Sequence, residues 1–337
     1  MQQEVIKQHY VPQFYLRKFG KGKKKDRKLY VFNKKTLKID KEVNTKVIAN
    51  EDYFYDLTET MIEKICKIFN INNDNEKIKI KQIFENTFSN IEKKSSDVFN
   101  SITNKIKNYF TPNLKSIKIY NFITLEEREI FSLFLAIQYI RTYAFREQIS
   151  FIYQMGMDKI GEIIQNKAEN ISEEEKKKLH ILHLTSFIQN TSIYFYRRMW
   201  FFNYNVTNKN LCTSDNPINF IQMTDLGPYG IGLATADIIA FPLTPKIMLY
   251  MYNPIRLVNK EEKTDKEIAQ EINNLNIETS YVLNKLNTLE DVEESNLNQA
   301  YHCQKEVYSI DGDFERILDA CKINKNNIQK SPNERIS

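Results

Sequence analysis

The sequence predicts an α+β fold that is predominantly α-helical, its small antiparallel β component drawn from an N-terminal hairpin and from strands late in the chain. Three observations lead there. Thr124-Leu-Glu-Glu127 and Ser172-Glu-Glu-Glu175 are complete capping boxes, and each opens a long stretch of apolar residues at helical spacing. The strand-like runs are short and interrupted by Pro, Gly and Asn. Glycine and proline number only eight each in 337 residues, which leaves few tight turns.

Taken in order, the chain opens on Gln8-His9-Tyr10-Val11-Pro12-Gln13-Phe14-Tyr15-Leu16-Arg17-Lys18-Phe19. Pro12 is placed to start a helix, and Tyr15, Leu16 and Phe19 follow at helical spacing. The segment is either a buried anchor or the carrier of His9 and Arg17 to a polar site. Leu29–Phe32 and Leu37–Ile39 flank Asn33-Lys-Lys-Thr36 as a hairpin, and Tyr53–Tyr55 extends it. Thr60-Met-Ile-Glu63, with Thr58 as the alternative cap, starts a helix carrying Ile62, Ile65, Cys66 and Phe69 on one face. A longer helix spans Glu76 to Phe110 and stops at Thr111-Pro112. The Thr124 helix runs to Ile152, or to Asn170 with a bend near Gly156 or Gly161, and the Ser172 helix runs towards Phe201. After Tyr204, Leu211–Ile221, Ile238–Leu243 and Ile247–Tyr252 form a small antiparallel sheet. A helix over Asp265–Asn284, a strand at Val307–Ile310 and a polar tail complete the chain. The predicted organisation is one large domain over residues 1–321, with motif and hairpin at 1–58, helical body at 59–204 and β-containing part at 205–321. The tail is 322–337.

Composition narrows the function classes. Hydrophobic residues make up 42% and aromatics 12%, ample for a core and against wholesale disorder. Neither GxGxxG nor GxxxxGK[ST] occurs, which argues against Rossmann or P-loop nucleotide chemistry. Cys66, Cys212, Cys303 and Cys321 are far apart without CxxC spacing, as expected of reduced thiols in a cytosol. No leader-like apolar segment and no run of about 18 apolar residues is present, so the expectation is a cytoplasmic protein with no membrane partner. The net charge of +5 permits an anionic partner, and Lys18 to Lys28 concentrates seven basic residues against Asp26 alone.

Three separated motifs carry a resemblance. His9-Tyr-Val-Pro12 continuing to Phe19, Thr213-Ser-Asp-Asn-Pro217 and Phe241-Pro-Leu-Thr-Pro245 together resemble the bacterial domain-of-unknown-function family 4238. Gln138-x-x-Arg141-Thr142 with Arg146 resembles that family's central helix, and the similarity spans about Gln8 to Tyr308. The resemblance implies a bacterial protein from accessory or defence-associated gene neighbourhoods. It carries over no catalytic assignment.

The residues suited to chemistry are few. His9 is the one histidine in an ordered, otherwise apolar motif. Asp215, with Ser214 and Asn216, lies in the densest polar turn, where Pro217 also suits a plain loop-initiating role. Gln138, Arg141, Thr142 and Phe145 share a helix face, and a buried Arg141 needs a carboxylate or phosphate partner, either Asp215 or a bound anion with Arg146 nearby. Arg197-Arg198 stands among the aromatics of Tyr194 to Phe202, an interleaving that suits either a core or a base-stacking surface. His180 and His183 lack the third ligand a metal needs, so neither metal nor cofactor is implied.

Three functions compete on these grounds. The first is a toxin-like or antiphage, metal-independent RNA-cleaving nuclease with His9, Arg141 and Asp215 as catalytic groups. Tyr10, Tyr15, Arg17, Gln138, Arg146, Ser214 and Asn216 would bind its substrate. The second is a non-enzymatic regulator that binds RNA, DNA, a protein partner or its own copy. The third is a metal-dependent hydrolase of nucleotide phosphoesters.

Overall fold

A computed structural model describes residues 4–23, 26–110, 116–163, 169–223, 232–261 and 263–323. Eleven α-helices and twelve strands lie among them, and the strands form three sheets of two, four and six members. The fold is therefore mixed α/β. The expectation of a predominantly helical chain with a small antiparallel part fails on the six-stranded sheet, which also contains a parallel pair.

The opening motif folds as β1 (Lys7–His9), a single turn α1 (Gln13–Leu16) and a 3-10 turn over Arg17–Phe19. Val11, Tyr15, Leu16 and Phe19 are fully buried, as their spacing predicts. The predicted hairpin exists as β2 (Lys28–Asn33) and β3 (Lys38–Asn44), paired antiparallel. The third strand is displaced: β4 covers Asn50–Asp52, and it pairs with β1 rather than with the hairpin. Lys24 and Lys25 of the basic run, and the tail from residue 324 onward, lie outside the described residues.

Helices α2 (Glu59–Phe69), α3 (Asp74–Lys81) and α4 (Ile83–Tyr109) follow, the first with Thr58 at its N-cap position but no capping hydrogen bond from that side chain. β5 (Ile117–Tyr120) then leads to α5 (Leu125–Ile140), which begins at the Thr124 capping box. The predicted continuous helix to Ile152 breaks at Arg141-Thr142, well before either glycine. There the Thr142 hydroxyl accepts from the Phe145 amide at 3.2 Å and starts α6 (Tyr143–Ile163) afresh. The Ser172 helix likewise divides into α7 (Glu173–Ser186) and α8 (Ile188–Tyr196).

What was expected as the end of that helix is β6 (Met199–Asn205), a central strand of the six-stranded sheet. β7 (Thr213–Ser214), β8 (Asn219–Ile221), β9 (Ile238–Thr244) and β10 (Ile247–Tyr252) come next. The predicted helix from Asp265 ends early as α9 (Asp265–Asn274), and the remainder becomes β11 (Ser280–Leu286), parallel to β6. α10 (Leu289–His302), β12 (Glu306–Ser309) and α11 (Glu315–Ile323) finish the described chain. The large sheet has the order β5-β11-β6-β10-β9-β8, and the four-stranded one β3-β2-β12-β7.

The main core lies where α5 crosses the large sheet. Phe131 meets Trp200 at 5.7 Å and Phe134 meets Phe241 at 6.2 Å, while Phe99 of α4 closes the other side. A second core joins Phe54, Tyr55, Phe84, Phe88, Ile140, Phe145 and Ile181. The α4 helix contributes to both, so its polar face is left beside the opening motif.

Gly312 closes the turn after β12 with a φ of +78°, and an added Cβ there would stand 2.6 Å from the Tyr30 ring. Gly312→Ala is expected to cost about 2 kcal/mol in urea unfolding, from the left-handed backbone and the clash together. A loss below about 0.5 kcal/mol would mean that the Tyr30 ring moves aside freely.

Candidate functional site

A cleft of about 420 Å³ opens between the opening motif and α4. His9, Gln13 and Arg17 line one wall, Glu85, Ser89, Glu92 and Lys93 the other, and Arg141 its floor. On α4, Glu85, Ser89, Glu92 and Ser96 stand four, three and four residues apart, which places them on one helix face.

The imidazole of His9 is half-buried, and its Nε2 faces two amide nitrogens, Gln13 Nε2 at 3.4 Å and Asn50 Nδ2 at 3.5 Å. Both amides have fixed orientations. Gln13 Oε1 accepts from Arg17 Nη2 at 2.6 Å, and Asn50 Nδ2 donates to the Ile48 carbonyl at 3.1 Å. Amide nitrogens donate, so Nε2 is the acceptor and the ring proton resides on Nδ1. Burial, followed by the Arg141 charge, lowers the His9 pKa to about 4, against weaker support from the backbone of Lys46 and Thr45. The ring is neutral at neutral pH, and its Nε2 lone pair is weakly basic.

Arg141 follows the last residue of α5 and is almost fully buried. Its guanidinium pairs with Glu92 Oε1 at 2.6 Å, donates to the His9 carbonyl and meets the Tyr55 hydroxyl at 3.3 Å. Tyr55 in turn donates towards the His9 and Arg141 carbonyls at 3.2 and 3.1 Å. The carboxylate required by a buried Arg141 is thus Glu92 rather than Asp215. Glu85, about two helical turns before Glu92 on α4, has no hydrogen-bond partner among the described residues. Burial pushes its pKa up to about 7; Arg141 opposes the shift and Glu92 adds to it.

Of the other residues expected at a site, Arg17 lines the cleft and the rest serve elsewhere. Asp215 sits beside β7, where Oδ1 accepts from the Gln304 amide at 2.8 Å and Oδ2 from Lys305 and Glu306 amides at 2.7 and 2.9 Å. It holds the turn into β12 and does not line the cleft, so His9, Arg141 and Asp215 do not converge. The Tyr10 ring packs on Phe54, and its hydroxyl pKa is raised by burial and then by Asp215 and Glu306. Tyr15 is fully buried, bonding Thr213 at 2.6 Å and the Pro242 carbonyl at 2.7 Å. Ser214 donates to Gln299 and Asn216 to the His302 carbonyl. Gln138 is buried and donates to the Tyr10 carbonyl.

Arg146 stacks on Phe54 at 3.6 Å and donates to the Phe54 carbonyl and to His180 Nδ1. His180 Nε2 meets the Ile140 carbonyl at 2.8 Å, so both ring nitrogens are occupied within the core. His183 bonds the Leu179 carbonyl and stacks on Phe187. Among the described residues no three of His, Cys, Asp and Glu are grouped as metal ligands, and no helix is long and apolar enough to cross a membrane.

The residues that sequence reasoning missed are Glu85 and Glu92. Their signal was a Glu-Ser-Glu-Ser stripe along α4 beside its apolar one. It becomes informative only once the opening motif is seen to lie over it.

Fold and site together define a mixed α/β protein whose cleft holds an imidazole, a high-pKa carboxyl and an arginine. The chain belongs to the family described as a protein of unknown function (DUF4238), whose model matches residues 7–313. No curated protein and no solved structure matches it.

Because three backbone amides converge on one buried carboxylate, Asp215→Asn is expected to cost about 2–4 kcal/mol in urea unfolding. It should leave the NMR titration of His9 in place. A loss of His9 titration in folded Asp215→Asn protein would contradict the separation of the two sites.

Proposed function

We propose that the protein cleaves RNA without a metal, in the cleft between the opening motif and α4. The observation that carries this reading is the pairing, in one cleft, of a neutral imidazole whose acceptor nitrogen meets only two long amide contacts and an unpartnered carboxyl at about 7. Cleavage through the 2′-hydroxyl needs a base, an acid and a cation for the charge on phosphorus. His9 Nε2 takes the 2′-hydroxyl proton as that oxygen attacks phosphorus. Glu85 gives its proton to the departing 5′-oxygen, and a 2′,3′-cyclic phosphate is left. Arg17 holds the phosphoryl oxygens, with Lys93 at the rim.

The pKa order supports this assignment of roles. A base at about 4 is unprotonated and an acid at about 7 is protonated throughout the interval between them. The reverse assignment would need His9 protonated and Glu85 ionised together, a rare combination at any pH. Arg141 stays outside the chemistry: it holds the His9 backbone. A growth-arresting toxin or antiphage effector is the role such an activity would serve in a bacterium.

Cleavage of a short RNA in EDTA is the test. The kcat/KM profile should be bell-shaped, rising through about pH 4 and falling through about pH 7. His9→Gln and Glu85→Gln should each reduce kcat/KM by about 100-fold or more while circular dichroism stays unchanged. No EDTA-resistant cleavage by the wild type across that interval would overturn the reading. So would full activity in both variants.

A further inference from the structure

The surface around Arg197 takes no part in that chemistry. Two adjoining clefts, of about 400 and 690 Å³, share Arg197, Asn253 and Pro254. Asn190 and Tyr194 of α8 and Arg197 at its C-terminal cap stand four and three residues apart, hence on one side of the helix. Tyr194 is 47% exposed. The Arg197 guanidinium is exposed and has no hydrogen bond or ion pair among the described residues.

Beside it, Arg198 lines the same cleft but is buried. It donates only to carbonyls, those of Leu233 at 2.7 Å, Ala236 at 2.9 Å and Met251 at 3.4 Å. Burial lowers its pKa to about 10, countered by the charge of Asp237. That carboxylate is itself engaged by Arg256 and by the Met223 amide. Two successive guanidinium groups therefore meet one cleft, and neither is bonded to a carboxylate among the described residues. Arg197 brings free donors to the cleft and Arg198 adds a buried positive charge, a combination that favours an anion such as phosphate. The second cleft differs in character: Asn273, Glu278 and Thr279 supply hydroxyl- and amide-binding groups against Ile255 and Ile272.

We propose that these paired clefts bind a nucleoside phosphate, its phosphate on Arg197 above Arg198, its base against Tyr194 and its ribose hydroxyls towards Asn273 and Glu278. An exposed tyrosine offers a stacking face to any base, so affinity comes from stacking and charge rather than from base identity. The ligand is either a free nucleotide or a phosphodiester unit of single-stranded RNA, and both present the same groups. The site is independent of the cleavage reading.

Isothermal titration of the full-length protein with 5′-AMP, 5′-UMP, inorganic phosphate and a 2′-O-methyl oligouridylate separates these sources. The last has no free 2′-hydroxyl, so its binding is measured whether or not the protein cleaves RNA. Saturable binding of a mononucleotide, weakened about tenfold or more in Arg197→Gln and in Tyr194→Ala, would support a free nucleotide. The same losses seen with the oligonucleotide alone would support a polymer-bound phosphate. Both positions are exposed, and unchanged melting temperatures would confirm that the variants fold. Absence of saturation by every organic probe at about 1 mM would overturn the proposal. Equal affinity for inorganic phosphate and nucleotide, or undiminished affinity in Arg197→Gln, would overturn it as well.

Discussion

Arg141 is the joint on which the candidate site depends. A guanidinium taken out of water must have its donors met, and here they are met by three parts of the chain that are distant in sequence. Glu92 comes from the middle of α4, the His9 carbonyl from the end of β1, and the Tyr55 hydroxyl from the loop after β4. Tyr55 returns a bond to the Arg141 carbonyl, so the knot closes on itself. Without it, the opening motif would keep, among the described residues, only the Lys18–Asn100 hydrogen bond at its far end to hold it against α4, and the cleft between them would lose one wall. The break between α5 and α6 belongs to the same arrangement. Because the helix stops there, the Phe145 amide bonds the Thr142 hydroxyl and the Arg141 carbonyl is left to accept from Tyr55.

That placement also accounts for the two titratable groups. Burial disfavours charge on both, which lowers an imidazole and raises a carboxyl. The fixed positive charge of Arg141 lowers both. On His9 the two effects add, and the ring is left neutral far below neutrality. On Glu85 they oppose, and burial prevails because Arg141 is already neutralised by Glu92, whose own charge raises Glu85 further. Burial thus separates an acid and a base whose ordinary pKa values would lie the other way round, and the buried cation only adds to the shift of the base.

Local signals were legible in the sequence, and long-range ones were not. The Thr124 and Ser172 capping boxes open α5 and α7 at the expected residues, because a cap is a bond between neighbours three apart. The hairpin and the buried face of the opening motif follow from equally local patterns. β6 was hidden because Met199 to Phe202 is an unbroken apolar run. A strand covered on both sides shows no alternation, and a short apolar run of that kind is not distinguished from a buried helix turn. β11 was lost for a related reason: its parallel partner β6 lies about eighty residues earlier, beyond any local pattern. At the site, His9, Arg17 and Arg141 were legible as polar residues in apolar settings. Asp215 stood out equally, yet its three amide bonds serve a turn. A dense polar cluster signals that something must be satisfied, and backbone amides satisfy it as well as a substrate does.

The buried arginines carry the same lesson further. Arg128 is fully buried among Tyr196, Trp200 and Tyr281, and it donates to the Tyr196 and Arg198 carbonyls. Arg146 relies on the Phe54 ring and carbonyl, with Glu51 in an ion pair at 3.7 Å, and Arg198 on the carbonyls of Leu233, Ala236 and Met251. A search for hydrogen-bonded carboxylates would have misjudged each of them, because carbonyl oxygens at strand and helix ends are acceptors left over by secondary structure itself. Arginine is suited to collect them: its five donors lie in a rigid plane and its faces stack on aromatics. In this fold each buried guanidinium joins the end of one element to its neighbour. Arg197 follows immediately after Tyr196 yet is exposed and collects no carbonyl. The contrast with Arg198 beside it separates an arginine consumed by the fold from one left available to a ligand.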